Sequence, residues 1–289
     1  MSIIKPNLLF NKIEYTKAFK GTFQYAESIA SAIRIQKIAG TKFLDGRLPW
    51  PYITFREAGE SLLKKEFNDL VTITGVIAPS NTRPSSTAPD HELIPFKNHF
   101  IFDPSLGSIK LSKKSDSNLR KGSKIWRTVD ANTSEGWEAF ANLYNKFTSE
   151  KKLTGGFFDF GTEHFFRMSN VKDIIMFGVK SSTDWGAMAC GACHEKELHL
   201  IHNQISEEGY KSFASYVLME EITQYCQAKG ITLFIGGLPK GADEGFLRFK
   251  KRWTNKTLSA WLFKIVIRPD IYEQLVIPGN QFFPGYRRG

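Results

Sequence analysis

Four stretches of the chain carry residues whose types and spacing suit chemistry. Cys190-Gly-Ala-Cys193-His194, with His199 and His202 just beyond, gathers thiols and imidazoles of the kind that hold a metal or a haem. Seven cations between Ile109 and Val129 (Lys110, Lys113, Lys114, Arg120, Lys121, Lys124 and Arg127) stand against a single acid, Asp116. So dense a run attracts phosphate-bearing partners. Lys250 lies among Arg248, Lys251 and Arg252 in a second basic stretch. Residues 43–52 set Asp45, Arg47, Trp50 and Tyr52 in one Gly/Pro-containing segment, which reads as a loop offering charge and aromatic surface together.

The cysteine cluster loses its appeal on inspection. Its Cys-x-x-Cys-His spacing matches covalent haem attachment, but the flanks, 185–201, read as a strand, and such haem proteins are exported. Met1 to Phe19 carries Lys5, Lys12, Glu14 and Lys17 and reads as no export signal, so a cytoplasmic location is expected. A second Cys-x-x-Cys is absent, so no metal site is expected either, and three cysteines make no disulfide framework.

Whatever the chemistry, a scaffold has to position it. The 289 residues, 42% hydrophobic and 24% charged, have ordinary globular composition and suffice for one large domain or two compact ones. Disordered, coiled-coil and disulfide-stapled classes are excluded, and no apolar run is long enough to span a membrane. The formal net charge of +10 favours anionic partners. Periodicity predicts an extended segment over 1–20 and a helix over 22–38 stopped at Gly40. A charged helix over 56–68, a strand over 70–77, a mobile loop over 79–92 and a strand near 99–102 follow. Then come a helix over 134–149, strands over 174–180, 185–192 and 196–203, and a long helix over 210–229 ended by Gly230. A buried strand over 231–235, a helix capped by Asp243 and a strand over 260–267 close the chain. That order predicts an α+β (mixed α/β) fold.

A meander, a long helix, a strand, a helix and a last strand is the order of the GNAT acyltransferase fold, and two segments sharpen the likeness. Ser112-Lys-Lys-Ser-Asp-Ser-Asn-Leu-Arg120-Lys-Gly-Ser-Lys124 resembles the basic helix that precedes the second GNAT unit of FemABX-type proteins. Gly245-Phe-Leu-Arg-Phe249-Lys250-Lys-Arg-Trp253 resembles their G-L-x-x-F-K-x-x-F-G segment, with Trp253 for the second aromatic and Thr254 for the closing glycine. Leu48-Pro-Trp-Pro-Tyr52 resembles their substrate loop. The likeness covers about residues 110–267, and no helical-arm insertion is visible. It implies a complete GNAT unit over 109–289, preceded by a shorter, degenerate GNAT-like half over 1–108.

FemABX proteins move amino acids from aminoacyl-tRNA to a peptidoglycan precursor, and relatives with the same C-terminal unit use acyl-CoA. The resemblance thus implies amide-forming transfer onto an amine of a cell-envelope, sugar or peptide precursor, or acyl-CoA-dependent N-acylation in polysaccharide or natural-product biosynthesis. No tightly bound cofactor is implied; the donor is a co-substrate. Direct transfer needs a neutral amine, a stabilised oxyanion and a held donor, and no protein nucleophile. Lys250, following Phe249, is the expected cation for a phosphate or oxyanion, and Asp159 the candidate base for the amine. Arg120 and Lys124 are expected at a donor or acceptor phosphate; Asp45, Arg47 and Tyr52 at the acceptor; Tyr216 and Phe249 at the substrate's apolar parts. The usual CoA loop before the long helix would fall on Asn203 to Gly209, where Glu207 and Glu208 repel pyrophosphate. That tips the donor towards aminoacyl-tRNA. An RNA-binding module without chemistry is the rival class, motivated by the basic segments 110–127 and 240–256.

Overall fold

The computed structural model describes residues 8–54, 59–80, 91–155, 158–238 and 241–287. In chain order these form α1 (Ile13–Thr16), β1 (Thr22–Ala26), β2 (Ser31–Lys37), β3 (Leu44–Arg47), α2 (Gly59–Glu66), β4 (Leu70–Ser80) and β5 (His91–Phe102). Next come α3 (Lys113–Gly122), β6 (Arg127–Asp130), α4 (Ser134–Glu150), α5 (Gly161–Ser169), β7 (Ile174–Lys180), β8 (Trp185–His194) and β9 (Glu197–Ile205). The chain finishes with α6 (Glu207–Lys211), α7 (Ala214–Lys229), β10 (Thr232–Gly237), α8 (Glu244–Arg252), β11 (Lys256–Val266) and α9 (Pro269–Leu275). No helix among the described residues is long and apolar enough to cross a membrane.

Two compact units result: Met1–Asn98 with Leu258–Gly289, and His99–Thr257. These units change at 98/99 and 257/258, whereas the sequence suggested 108/109 with the last strand in the C-terminal half. Strand β11 leaves the second unit and pairs antiparallel with β4, from Trp261 opposite Ile77 to Val266 opposite Thr72. Strand β5 makes the converse move, its end pairing with β10 through Ile101 and Phe102.

The first unit has strand order β1-β2-β3-β4-β11-β5, with β1, β2 and β3 antiparallel and β3 parallel to β4. Its core joins Ile33, Leu48, Ile53, Leu63, Phe67, Ile73, Phe263 and Ile265. The helix expected over 22–38 is the β1–β2 hairpin. Ala26 ends one strand, Ile29 and Ala30 lie in the turn, with Ala30 at a φ of 48°, and Ile33 begins the next face. Apolar residues spaced three and four apart came from a turn, not from a helical stripe. Strand β3 likewise replaces part of the loop expected over 43–52. Most of the loop expected over 79–92 lies outside the described residues.

The second unit has strand order β5-β10-β9-β8-β7-β6. Helix α7 covers one face, where Val217, Leu218, Ile222 and Cys226 pack with Ala187, Ala189, Leu198 and Leu233. Side chains alternate along β8, so Met188 and Cys190 point to the opposite face, which α4 and α5 cover. Gly230 ends α7 at a φ of 61° and the Asp243 carboxylate caps α8 by accepting from Phe246 N at 2.7 Å, both as expected. The long helix expected over 210–229 is broken instead into α6 and α7, because Phe213 adopts a left-handed conformation at a φ of 65°. The order β6-α4-α5-β7-β8-β9-α7-β10-α8 is that of a GNAT-type unit, and β1-β2-β3-α2-β4 repeats its meander, helix and parallel strand in shorter form. The mixed α+β, GNAT-type class expected from the sequence is the fold observed.

Candidate active site

Strands β9 and β10 pair in parallel at only three positions, Glu197 with Thr232, Leu198 with Leu233 and His199 with Phe234. Beyond them β9 runs on to Ile205 and β10 to Gly237, and the ladder between the two ends. Neighbouring strands that part in the middle of a sheet expose backbone polar groups that need partners. The parting is also where β10 loses register with β5, between Phe234 and Gly237, and where Gly236 takes a φ of 76°.

Lys250 fills part of that need. Helix α8 turns it inward, and it is buried while Arg248 and Lys251 beside it stay exposed. Its Nζ donates to the carbonyl oxygen of Ile235 and, at 3.3 Å, to that of Gly236. The Phe246 ring lies 5.2 Å from the ammonium. Burying an ammonium is costly unless it is paired; two carbonyls and a π face compensate it here. Lys250 is thus no member of the solvated basic face. Phe249 packs edge-on to Tyr216 at 6.1 Å, and Tyr216 edge-on to Trp253 at 6.2 Å. Asn118 Nδ2 donates to the Tyr216 hydroxyl at 3.3 Å, and the Arg252 guanidinium lies 5.0 Å over its ring. So the fold gathers Lys250, Phe249 and Tyr216, with Tyr216 packed between helices.

The other expected site residues lie elsewhere. Asp159 is exposed between α4 and α5, where its Oδ2 accepts from Gly155 N at 2.8 Å. That layer covers the face of the sheet opposite α7, and no contact among the described residues joins Asp159 to Lys250. Arg120 is exposed and paired with Asp116 at 2.7 Å, and Lys124 falls past the end of α3. In the first unit Asp45 is buried. Its carboxylate accepts from Arg287 Nη2 at 2.7 Å, Arg287 Nε at 3.1 Å and the Tyr286 hydroxyl at 3.1 Å. Asp45 therefore ties the C-terminal segment to β3 and lies buried in a strand, where an open loop was expected. Burial, then the nearby Arg287 and Arg34, hold the Arg47 pKa below its ordinary value, with Asp45 opposing. Tyr52 is buried, its ring 5.4 Å from that of Phe10.

The cysteines are poor nucleophiles where they stand. Burial pushes the thiols of Cys190 and Cys226 up to about 12, so both stay protonated at neutral pH. His202, read as a plain strand residue, has a partner invisible in sequence. A bulge at Ile201, between the pairs Cys190–His202 and Gly191–Leu200, turns His202 towards α4 and α5. There its Nε2 lies 3.2 Å from His164 Nε2, boxed by Tyr144, Phe160 and Phe165. Burial, and the neighbouring His164, hold the His202 pKa well below the imidazole range, so it is neutral in the fold. Unfolding frees it to protonate below about pH 6.5. Its contribution is thus complete above that pH and is lost as the pH falls. We expect the urea midpoint to drop between about pH 7 and about pH 5, and a His164→Leu/His202→Leu variant to flatten that acid limb. Equal limbs in both proteins would contradict it.

The helix start that would hold a pyrophosphate is occupied. Ser206 Oγ accepts from Gly209 N at 3.0 Å, and Glu207 pairs with Lys211 at 2.7 Å. A Cβ on Gly209 would lie 2.0 Å from the Gly186 carbonyl oxygen, so this turn is pressed onto β8. At the start of α7 a Cβ on Gly122 would lie 2.8 Å from the Phe213 carbonyl oxygen, so α3 is packed against that end.

No protein-family profile and no curated protein matches the sequence. Solved structures do match the fold. FemX superposes with a TM-score of 0.67 at 10% identity, over 95% of this chain and 96% of its own. The C-terminal domain of a putative lysylphosphatidylglycerol synthetase from Agrobacterium fabrum gives 0.60 at 10% identity, over 87% and 86%. L-PGS from Bacillus licheniformis gives 0.57 at 15% identity, over 92% and 94%. The chain has the fold that these proteins share.

Proposed function

We propose that this protein transfers an aminoacyl group from aminoacyl-tRNA to an amine of a cell-envelope, sugar or peptide precursor. The observation that carries the reading is the parting of β9 and β10 with a buried ammonium at its edge. In the reaction the amine nitrogen attacks the ester carbonyl, a C–N bond forms and the ester C–O bond breaks. The proton leaves nitrogen and ends on the ribose hydroxyl. Negative charge grows on the carbonyl oxygen on the way, and a fixed positive pole in a dry site stabilises it. Lys250 supplies that pole through the backbone. Its ammonium polarises the Ile235–Gly236 and Gly236–Gly237 peptide planes, strengthening their N–H groups as donors. Lys250 acts in this account as a positioning residue, and Phe249 and Tyr216 form the apolar wall behind it. Asp159, holding its own turn on the other layer, is assigned no proton.

Two features support aminoacyl-tRNA over acyl-CoA. The start of α6 is capped by Ser206 and carries Glu207 and Glu208, and the start of α7 is covered by α3. A CoA pyrophosphate would have to displace one or the other. The fold neighbours FemX and lysylphosphatidylglycerol synthetase, the latter named for a lysyl-lipid product, fit the same reading. The test is a donor panel. Purified protein is incubated with charged tRNA or with acyl-CoAs, each with and without a bacterial metabolite extract. Acceptor-dependent loss of charge from tRNA is the expected result. Consumption of an acyl-CoA with untouched aminoacyl-tRNA would replace this reading with the acyl-CoA-dependent N-acyltransferase.

A further inference from the structure

A groove of about 440 Å³ lies between the start of α3 and the end of α8, lined by Lys110, Ser112, Arg248, Lys251, Arg252 and Asn255 among others, with no acidic side chain. We propose that it binds consecutive phosphates of an RNA backbone, those of the donor's RNA; this rests on the aminoacyl-tRNA reading above.

Lys113 and Lys114 form the exposed first turn of α3, beside the groove-lining cap Ser112. A helix start is the positive end of its dipole, where cations are unfavourable and anions favoured. The protein nonetheless adds two lysines there, against Asp116 in the same turn, and brings Lys110, Lys251 and Arg252 alongside, with Arg248 already paired to Glu244. Several basic residues have acid partners, Arg120 with Asp116, Lys211 with Glu207, Lys180 with Glu135 and, at the groove itself, Arg248 with Glu244 at 2.9 Å. Among the described residues no carboxylate lies within ion-pair distance of Lys110, Lys113, Lys114 or Lys251. The missing partner is anionic.

Its kind follows from the spread. Lys110, the first turn of α3 and the last turns of α8 are three separate segments, and together they present more cations than one pyrophosphate engages. A phosphodiester chain, one charge per nucleotide, matches them. Helix α8 also joins this groove to the reacting end: Lys250 holds the β10 carbonyls while its neighbours Lys251 and Arg252 line the groove. The expected phosphate site at Arg120 and Lys124 is thereby moved to the opposite end of α3.

The test is binding of an uncharged RNA minihelix ending in single-stranded CCA, titrated over a salt series. The log–log salt slope should shrink by about 0.7 to 1 for each of Lys110→Ala, Lys113→Ala and Lys251→Ala. Lys172→Ala, away from the groove, should leave it unchanged, and a Lys113→Arg/Lys114→Arg variant should keep it. Circular dichroism identifies any variant that fails to fold, and the charge-keeping variant reads the groove in its place. Slopes unaltered by all groove variants would overturn the proposal. So would free coenzyme A displacing the minihelix, with the groove variants weakening coenzyme A binding alike. Minihelix binding through the groove without transfer from charged tRNA would keep this inference and remove the transferase reading; transfer with unaltered slopes would do the reverse.

Discussion

Lys250→Met is expected to slow transfer by about 10-fold at saturating donor and acceptor, less than the roughly 100-fold lost when an oxyanion donor itself is removed, because the Gly236 and Gly237 N–H groups remain. Methionine keeps the length and apolar stem of the side chain and deletes the ammonium. The carbonyls of Ile235 and Gly236 then lose their donor, so a stability cost of about 1–3 kcal/mol should accompany the rate loss. Single-turnover rates separate chemistry from donor affinity, and a urea titration reports the stability part. Lys250→Arg should not restore the rate, because a planar guanidinium cannot replace a compact ammonium between two carbonyls. A wild-type rate with Lys250→Met would show that the cation serves the fold alone.

The second large effect concerns stability. Asp45→Ala should lower the unfolding free energy by about 2–3 kcal/mol, less than a fully buried pair gives because Arg287 is about one-third exposed. The variant strands the guanidinium and the Tyr286 hydroxyl, whose other partner is Thr72 Oγ1 at 2.7 Å. An Asp45→Ala/Arg287→Met protein should recover part of the loss, since both ends of the pair are then gone. An Asp45 that served the acceptor would instead melt normally when changed, raise the KM for acceptor and show no coupling to Arg287.

Local signals in the sequence carried the second unit well. The Asp243 cap, the Gly230 stop and the strands from Ile174 to Ile205 depend on neighbours within a few residues, and all appear. The Phe249-Lys250 motif led to the buried ammonium, though not to its carbonyl partners, which lie in β10. What failed was long-range. Asp45 and Arg287 are 242 residues apart, and no local pattern pairs them. Strand β11 reads as the end of one domain and pairs in the other because its partner, β4, is distant in sequence. The His202–His164 pair needed a bulge at Ile201, which reverses the alternation that sequence reading assumes. The basic run from Lys110 to Lys124 was visible as charge, but the helix between them decides which cations find a counter-charge. Asp116, in the first turn of α3, reaches one turn on to Arg120, and Lys113 and Lys114 beside it stay without an ion pair among the described residues.

The most direct test of the central claim follows the chemical form of a labelled amino acid. In aminoacyl-tRNA it is held by an ester, which mild alkali cleaves; in the proposed product it is held by an amide, which survives. Wild-type protein, tRNA charged with labelled amino acids and a bacterial metabolite extract should move label from the alkali-labile to the alkali-stable pool, and omission of the extract should abolish the movement. Label that stays on tRNA, or appears only as free amino acid, would contradict aminoacyl transfer by this protein.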